Sequence, residues 1–344
     1  MKKIFSNIQI SFSLLLLAMV FAISSCTKDT DGSPGIAPGT PISDALKPDS
    51  AAGGSLLTLT GSGLGDMRSI VFSNDSVPAG FYSTLNTETA IVFRVPDTAS
   101  GGPQNIIFTN SLGKTLIVPF KVLAYPNVTA AFPTDFQQGT VITLTGTNLA
   151  DVNKVVINGT SDEATIVSKS KKELVIQMPA SAASRGSLKI TNASGDLITT
   201  QEFVNVSAAA TVFSEQLDNG FQNWGWGGSF DASSEAFITG AKGMKAAYDP
   251  SGTWGGMQLG GGNIDLTGYK YFSFWAKGAD VDKNVQFWLN WGNQKVITIP
   301  ANKWTYFRYQ LVTDYPGVTS VNNVTFQIFD AGKTIYFDNI MFVK

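Results

Sequence analysis

The stretch Gly54–Phe72 reads "GSLLTLTGSGLGDMRSIVF", and Gly139–Ile157 reads "GTVITLTGTNLADVNKVVI". The two align without a gap at an offset of 85 residues, Gly139 standing against Gly54. Thr60-Gly61 meets Thr145-Gly146, Leu64 meets Leu149, and Asp66 meets Asp151. Further along, "AIVFRVP" ending at Pro96 corresponds to "LVIQMP" ending at Pro179, and "TNSLG" at Thr109–Gly113 to "TNASG" at Thr191–Gly195. Self-similarity at a fixed period marks a duplicated structural unit. Each copy alternates apolar and polar residues in short runs broken by Gly, Asn and Pro, which predicts strands joined by turns. Units of this length and patterning suit an immunoglobulin-like β-sandwich. Leu57 and Leu59, and Val141 and Leu144, are expected to point inward, with Gly61 and Gly146 permitting a turn.

The rest of the chain agrees with an all-β protein. Its 344 residues exceed one ordinary domain, and glycine is abundant at 34. Net charge is −2, with Lys and Arg gathered nowhere, so there is no basic footprint for nucleic acid. Histidine is absent, which removes Ser-His-Asp catalysis and imidazole metal sites. A single cysteine, Cys26, allows no intrachain disulfide.

Lys2 and Lys3 precede an apolar run from Ile8 to Ile23, and "ISSC" follows at Ile23–Cys26. This predicts a signal peptide over 1–25. The four residues resemble a bacterial lipobox. That resemblance implies cleavage before Cys26 and acylation of that cysteine, anchoring the protein in a membrane without a spanning helix. "CTKDTDG" is similar to the acidic tag that sends Bacteroides-type lipoproteins to the cell surface. A flexible stalk, poor in large apolar residues, is expected over 26–40.

The repeats fall in units 41–124 and 125–207. Their motif "G-T-x-I-T-L-T-G-x-N-L" resembles the opening strands of TIG domains, which implies two tandem immunoglobulin-like sandwiches. With no Trp in either unit, both read as spacers, a partner-docking surface being the other reading.

The remaining segment, 208–344, is a compositional island. All seven tryptophans lie between Trp224 and Trp304. Its strands "GYKYFSFWAKG", "KWTYFRYQL" and "IYFDNIMF" resemble the β-sandwich carbohydrate-binding modules that accompany glycoside hydrolases, implying a jelly-roll sandwich. Strand parity then sorts its side chains. In "NVQFWLNWGNQ", Asn284–Gln294, the core set is Val285, Phe287 and Leu289, leaving Gln286, Trp288 and Asn290 on the other side. In "VTFQIF", Val324, Phe326 and Ile328 are core, and Thr325, Gln327 and Phe329 face out. In "WGGMQLGG", Met257 and Leu259 are core, and Trp254, Gly256 and Gln258 are not. Indole stacks on the C–H face of a pyranose, and carboxamides both donate to and accept from its hydroxyls.

Trp288 is therefore the leading candidate for sugar contact, followed by Trp254, with Asn290, Gln286, Gln258 and Gln327 beside them. Trp224 and Trp226, in "NWGWGGS", form a candidate pair with glycines leaving room for a ligand. Tyr306 and Arg308 share the parity of Trp304 and are candidates to extend the face. Trp275 and Trp304 read as framework, and Trp291 as structural or at a rim. The modules it resembles often hold a structural Ca2+, which implies a ligand set of Asp338 with Glu215 or Asp218; an Asp that merely caps a turn is the alternative.

Glycoside hydrolysis needs two carboxylates across a cleft. Asp249, Asp265 and Asp330 sit in turn-like settings, so a non-catalytic role is expected. The alternatives are an adhesin that docks other proteins and, third, a polysaccharide-degrading enzyme. The whole arrangement resembles the surface glycan-binding lipoproteins of Sus-type polysaccharide utilisation systems. That resemblance implies an outer-membrane, surface-facing location, a polysaccharide ligand, and a TonB-dependent transporter and surface glycanase as partners. Scarce charge favours a neutral glycan, a β-glucan or hemicellulose. "DSA" at Asp49, "DSV" at Asp75 and "DTA" at Asp97 also resemble a Bacteroidetes O-glycosylation signal.

Overall fold

The structure is a computed structural model that describes residues 38–278 and 280–344. The expected signal peptide, Cys26 and most of the expected stalk lie outside the described residues. Strands dominate, as the alternating pattern predicts, and they enclose three separate cores. No helix among the described residues is long and apolar enough to cross a membrane.

The first core gathers side chains from Leu46 to Val122 between a three-stranded and a five-stranded sheet. The second gathers Phe136 to Phe203 between two four-stranded sheets. Leu57, Leu59 and Leu144 are buried as expected, but Val141 is exposed and Ile142 takes its place in the core. The repeat itself shows why: Ile142, not Val141, aligns with Leu57, and a shift of one residue turns a side chain to the opposite face.

Gly61 and Gly146 do not form turns either. They lie inside the strands Leu56–Ser62 and Val141–Thr147, where a neighbouring strand comes close. A Cβ on Gly61 would stand 2.1 Å from the Ile42 carbonyl oxygen, and one on Gly146 would stand 1.8 Å from that of Asn127. Only glycine permits so close a backbone contact. The turns fall two residues later, at Gly63 and Asn148, both with positive φ.

The third core, from Val212 to Phe342, is the most aromatic. A six-stranded sheet runs Gly228–Ser233, Gly243–Tyr248, Thr334–Val343, Tyr271–Gly278, Thr305–Gln310, with Ala210–Phe213 also paired to Thr334–Val343. It packs against a five-stranded sheet in the order Gln222–Asn223, Gly256–Asp265, Ser320–Ile328, Lys283–Leu289, Gly292–Ile299.

Side chains tie the units together. Ser194 Oγ accepts from the Ala124 amide at 2.8 Å, and Asn192 Nδ2 donates to the Ala124 carbonyl at 2.7 Å. Between the second and third units, Phe132 meets Trp275 edge-to-face at 5.7 Å, and Val204, Val206, Met341 and Val343 form a small apolar cluster. Asp135 is wholly buried there, and its Oδ2 accepts from Asn339 Nδ2 at 3.3 Å. Burial, with the Asp338 carboxylate nearby, pushes Asp135 up to about 8.

Candidate functional site

The outer face of the five-stranded sheet can be read row by row from its register. Gln222 pairs with Gly260, Trp224 donates its amide to the Gln258 carbonyl at 2.8 Å, and Trp226 exchanges bonds with Gly256 at 2.9 Å. Gln258 pairs with Thr325, and Thr325 with Trp288. Gly256 pairs with Gln327, Gln327 with Gln286, and Gln286 with Val296. Directly opposed residues share a face. One row is therefore Trp224, Gln258, Thr325, Trp288, and the next is Trp226, Gly256, Gln327, Gln286, Val296. Met257, Leu259, Val285, Phe287, Leu289, Val324, Phe326 and Ile328 lie on the opposite face and are buried, so the parity assignment holds on all three long strands.

Four indoles are open to solvent on this surface or its rim: Trp224 at 50%, Trp226 at 37%, Trp254 at 53% and Trp291 at 60% of their area. The glycines explain how the first two lie. A Cβ on Gly260 would stand 2.4 Å from Trp224 Cε3, and one on Gly256 would stand 2.4 Å from Trp226 Cζ2. The indoles thus rest on bare backbone, and the glycines make room for tryptophan rather than for a ligand. Trp254 has positive φ, and its carbonyl accepts from Trp226 Nε1 at 2.7 Å and from Gln327 Nε2 at 3.0 Å. Its ring meets Phe329 edge-to-face at 5.7 Å.

Trp288 departs from expectation. It has the outward parity and stays out of the sandwich core, yet only 2% of it is exposed. Trp291 lies against it, ring centroids 5.3 Å apart. The cause is the hairpin turn: Leu289 pairs with Gly292, and Asn290 and Trp291 between them both have positive φ. Such a two-residue turn reverses the chain tightly, bringing Trp291 back over the preceding strand. Trp291, read from the sequence as structural or at a rim, presents the open ring, and Trp288 is its support.

The amides divide in the same way. Asn290 Nδ2 donates to the Ser320 carbonyl at 2.7 Å, and its Oδ1 accepts from the Asn322 amide at 2.9 Å, so it anchors the turn. Gln286 is buried and donates to Gln327 Oε1. Gln258 is half-buried with its amide turned to the outer face. Asn323 Nδ2 and Trp288 Nε1, both on this side of the sheet, are buried without a partner.

Tyr306 and Arg308 do not join this face. They belong to Thr305–Gln310 in the six-stranded sheet, where Tyr306 pairs with Trp275 and Arg308 lies 4.8 Å over the Tyr271 ring. That side meets the second unit, since Trp275 contacts Phe132. Parity alone cannot say which of two sheets a strand joins.

Asp338, Glu215 and Asp218 do not assemble a cation site as placed. Asp338 accepts from the amides of Ile238, Thr239 and Asn339 at 2.6, 3.2 and 2.8 Å, and burial raises it to about 7. Glu215 accepts from the amides of Ala241 and Lys242, and Asp218 from the Thr211 and Ser214 hydroxyls. Calcium needs oxygens converging on one point, whereas N–H donors face Asp338 and Glu215 and hydroxyl donors face Asp218. Among the described residues no three Asp, Glu, His or Cys come together. Of the acids weighed for catalysis, Asp330 pairs with Lys283 at 2.6 Å, while Asp249 and Asp265 each accept an amide two residues on.

Fold and face together define a modular all-β protein with an aromatic platform on its third sandwich. Residues 126–204 match the IPT/TIG domain family, so the second unit is a TIG domain. Over 90% of its length the chain shares the fold of a surface glycan-binding protein from Prevotella bryantii, at 13% identity and a TM-score of 0.53, covering 99% of that chain. A xyloglucan-locus counterpart from Bacteroides uniformis aligns at 17% identity and a TM-score of 0.48, over 90% of this chain and all of that one. No curated protein sequence matches.

Proposed function

We propose that this protein is a non-catalytic polysaccharide-binding protein that holds a neutral glycan on the outer face of its C-terminal five-stranded sheet. The observation that carries the reading is the set of open indoles, Trp224, Trp226, Trp254 and Trp291, around one amide-lined surface. From the Trp224 edge to the Trp288–Trp291 side is three strand steps, or about 14 Å. That span fits several sugar rings of an extended chain. The indoles supply stacking area, while Gln258 and Gln327, the half-buried amides of the face, meet the hydroxyl rim. Each such hydrogen bond contributes about 1 kcal/mol net, which places the affinity for an oligosaccharide in the micromolar-to-millimolar range.

Charge supports a neutral ligand such as a β-glucan or hemicellulose, since neither row of the face carries an ionisable side chain. The Prevotella relative is itself described as glycan-binding at a surface. In this reading the lipid on Cys26 anchors the protein in the outer membrane, and the captured polymer is delivered to a TonB-dependent transporter beside a surface glycanase.

Affinity electrophoresis against a panel of neutral polysaccharides tests the proposal. Retention without release of reducing sugar is expected, and it should fall sharply in the triple variant W224A/W254A/W291A. Turnover would mark an enzyme instead. A chain retained by no polysaccharide would leave the face to a protein partner.

A further inference from the structure

The first unit carries a feature that its duplicate lacks. Residues 80–82 run beside Ala90–Arg94 at the sheet edge: Phe81 bridges Phe93, the Tyr82 amide donates to the Val92 carbonyl at 3.2 Å, and the Arg94 amide donates to the Gly80 carbonyl at 3.0 Å. Leu56 pairs with Arg94 and Thr58 with Val92. With Phe93 and Leu57 in the core, the outer face presents two rows, Gly80–Arg94–Leu56 and Tyr82–Val92–Thr58. Gly80 leaves a gap between them, since a Cβ added there would meet nothing within 4 Å. The result is a cavity of about 290 Å³ walled by Tyr82, Arg94, Pro96 and Asp97. Tyr82 is 46% exposed, and Arg94 Nη1 is held by the Gly54 carbonyl, which fixes the guanidinium at the cavity edge.

The second unit serves as an internal control. Thr165 pairs with Gln177 and Ile166 with Ile176, in the register that Gly80 and Phe81 keep with Arg94 and Phe93. Thr165 therefore stands in place of Gly80, Gln177 in place of Arg94, and Ala180, after Pro179, in place of Asp97. After a bulge at Val167, Ser168 faces Val175 where Tyr82 faces Val92. Apart from Pro96, which Pro179 matches, the residues that wall the cavity differ, although the strands do not.

We propose that this cavity on the first unit is a second glycan-binding site, taking one neutral sugar residue of the polysaccharide held by the C-terminal face; its ligand class rests on the reading of that face. A phenol ring offers a surface for sugar C–H groups. Arg94 provides only donors and Asp97 only acceptors, and together they satisfy hydroxyls that do both. Their charges cancel, which disfavours an anionic ligand and a metal alike. The volume lies at the small end for ligand pockets, enough for a single ring. Two weak sites on one chain bind a polymer with an avidity that neither has alone.

The test uses the full chain and the variants G80T, Y82A and R94Q, of which G80T and R94Q install the second unit's own residues. Polysaccharide retention should fall about three- to tenfold in each. Calorimetry with an oligosaccharide should still show binding at the C-terminal face. The triple variant W224A/W254A/W291A should keep a weak retention that adding G80T abolishes. If wild type is retained but G80T, Y82A and R94Q all match it, and the triple variant retains nothing, the second site is overturned and the C-terminal reading stands. If wild type is retained by no glycan, both fall together.

Discussion

Trp288 and Trp291 stand three residues apart, and the difference between them is one of support against contact. Trp288 is buried with its Nε1 unpartnered, while Trp291 covers it from a turn and keeps most of its own surface open. Their replacement by alanine should therefore act on different quantities. W288A removes a large buried side chain and should cost about 3 kcal/mol of stability or more, read as a lowered denaturation midpoint. W291A should leave the midpoint within about 0.5 kcal/mol of wild type, as for an exposed substitution, and weaken polysaccharide retention. Equal stability loss in both would show that the two rings form one structural pair and that neither is reserved for a ligand.

At the scale of the element, the edge segment from Gln222 to Trp226 works as a platform because the strand beside it lacks side chains where the indoles lie. Gly256 and Gly260 flank Gln258 on the outer side while Met257 and Leu259 are buried, so the strand is apolar toward the core and bare at the two positions where the indoles rest. A methyl group at Gly256 would collide with the Trp226 ring and break the bond from Trp226 Nε1 to the Trp254 carbonyl. G256A should thus displace two rings at once and weaken glycan binding roughly tenfold, about 1.4 kcal/mol, measured by calorimetry. G252A, in the turn that Asp249 closes, is the control expected to bind as wild type.

At the scale of the molecule, the junction of the second and third units is built around two buried acids. Asp135 is raised from 3.8 to about 8 and Asp338 to about 7, in both cases chiefly by burial. A folded state that keeps a proton which the unfolded chain has released loses stability as pH rises. The contribution is fully present below about pH 4, declines through the window up to about 8, and is level beyond it. The melting temperature should therefore be lower at pH 8.5 than at pH 5. D135N, which cannot ionise, should flatten much of that slope. A melting temperature that rises over the same interval would show that Asp135 is ionised in the folded protein.

The sequence alone determined the repeat, the strand alternation and, on the three long strands of the third unit's five-stranded sheet, the side that meets the core. These follow from a period of two and from side-chain polarity, both of which are local. Parity was enough to turn Gln286, Trp288, Gln258 and Gln327 away from the core, and the spacing "NWGWGGS" was enough to pair Trp224 with Trp226. Tertiary structure decided what those positions could do. It folded Trp291 over Trp288 through a hairpin turn, committed Asn290 to that turn, and sent Tyr306 and Arg308 to the opposite sheet. It also filled the space before Asp338 with backbone amides and opened a cavity at Gly80. Exposure depends on what arrives from elsewhere in the chain, and parity carries no record of it.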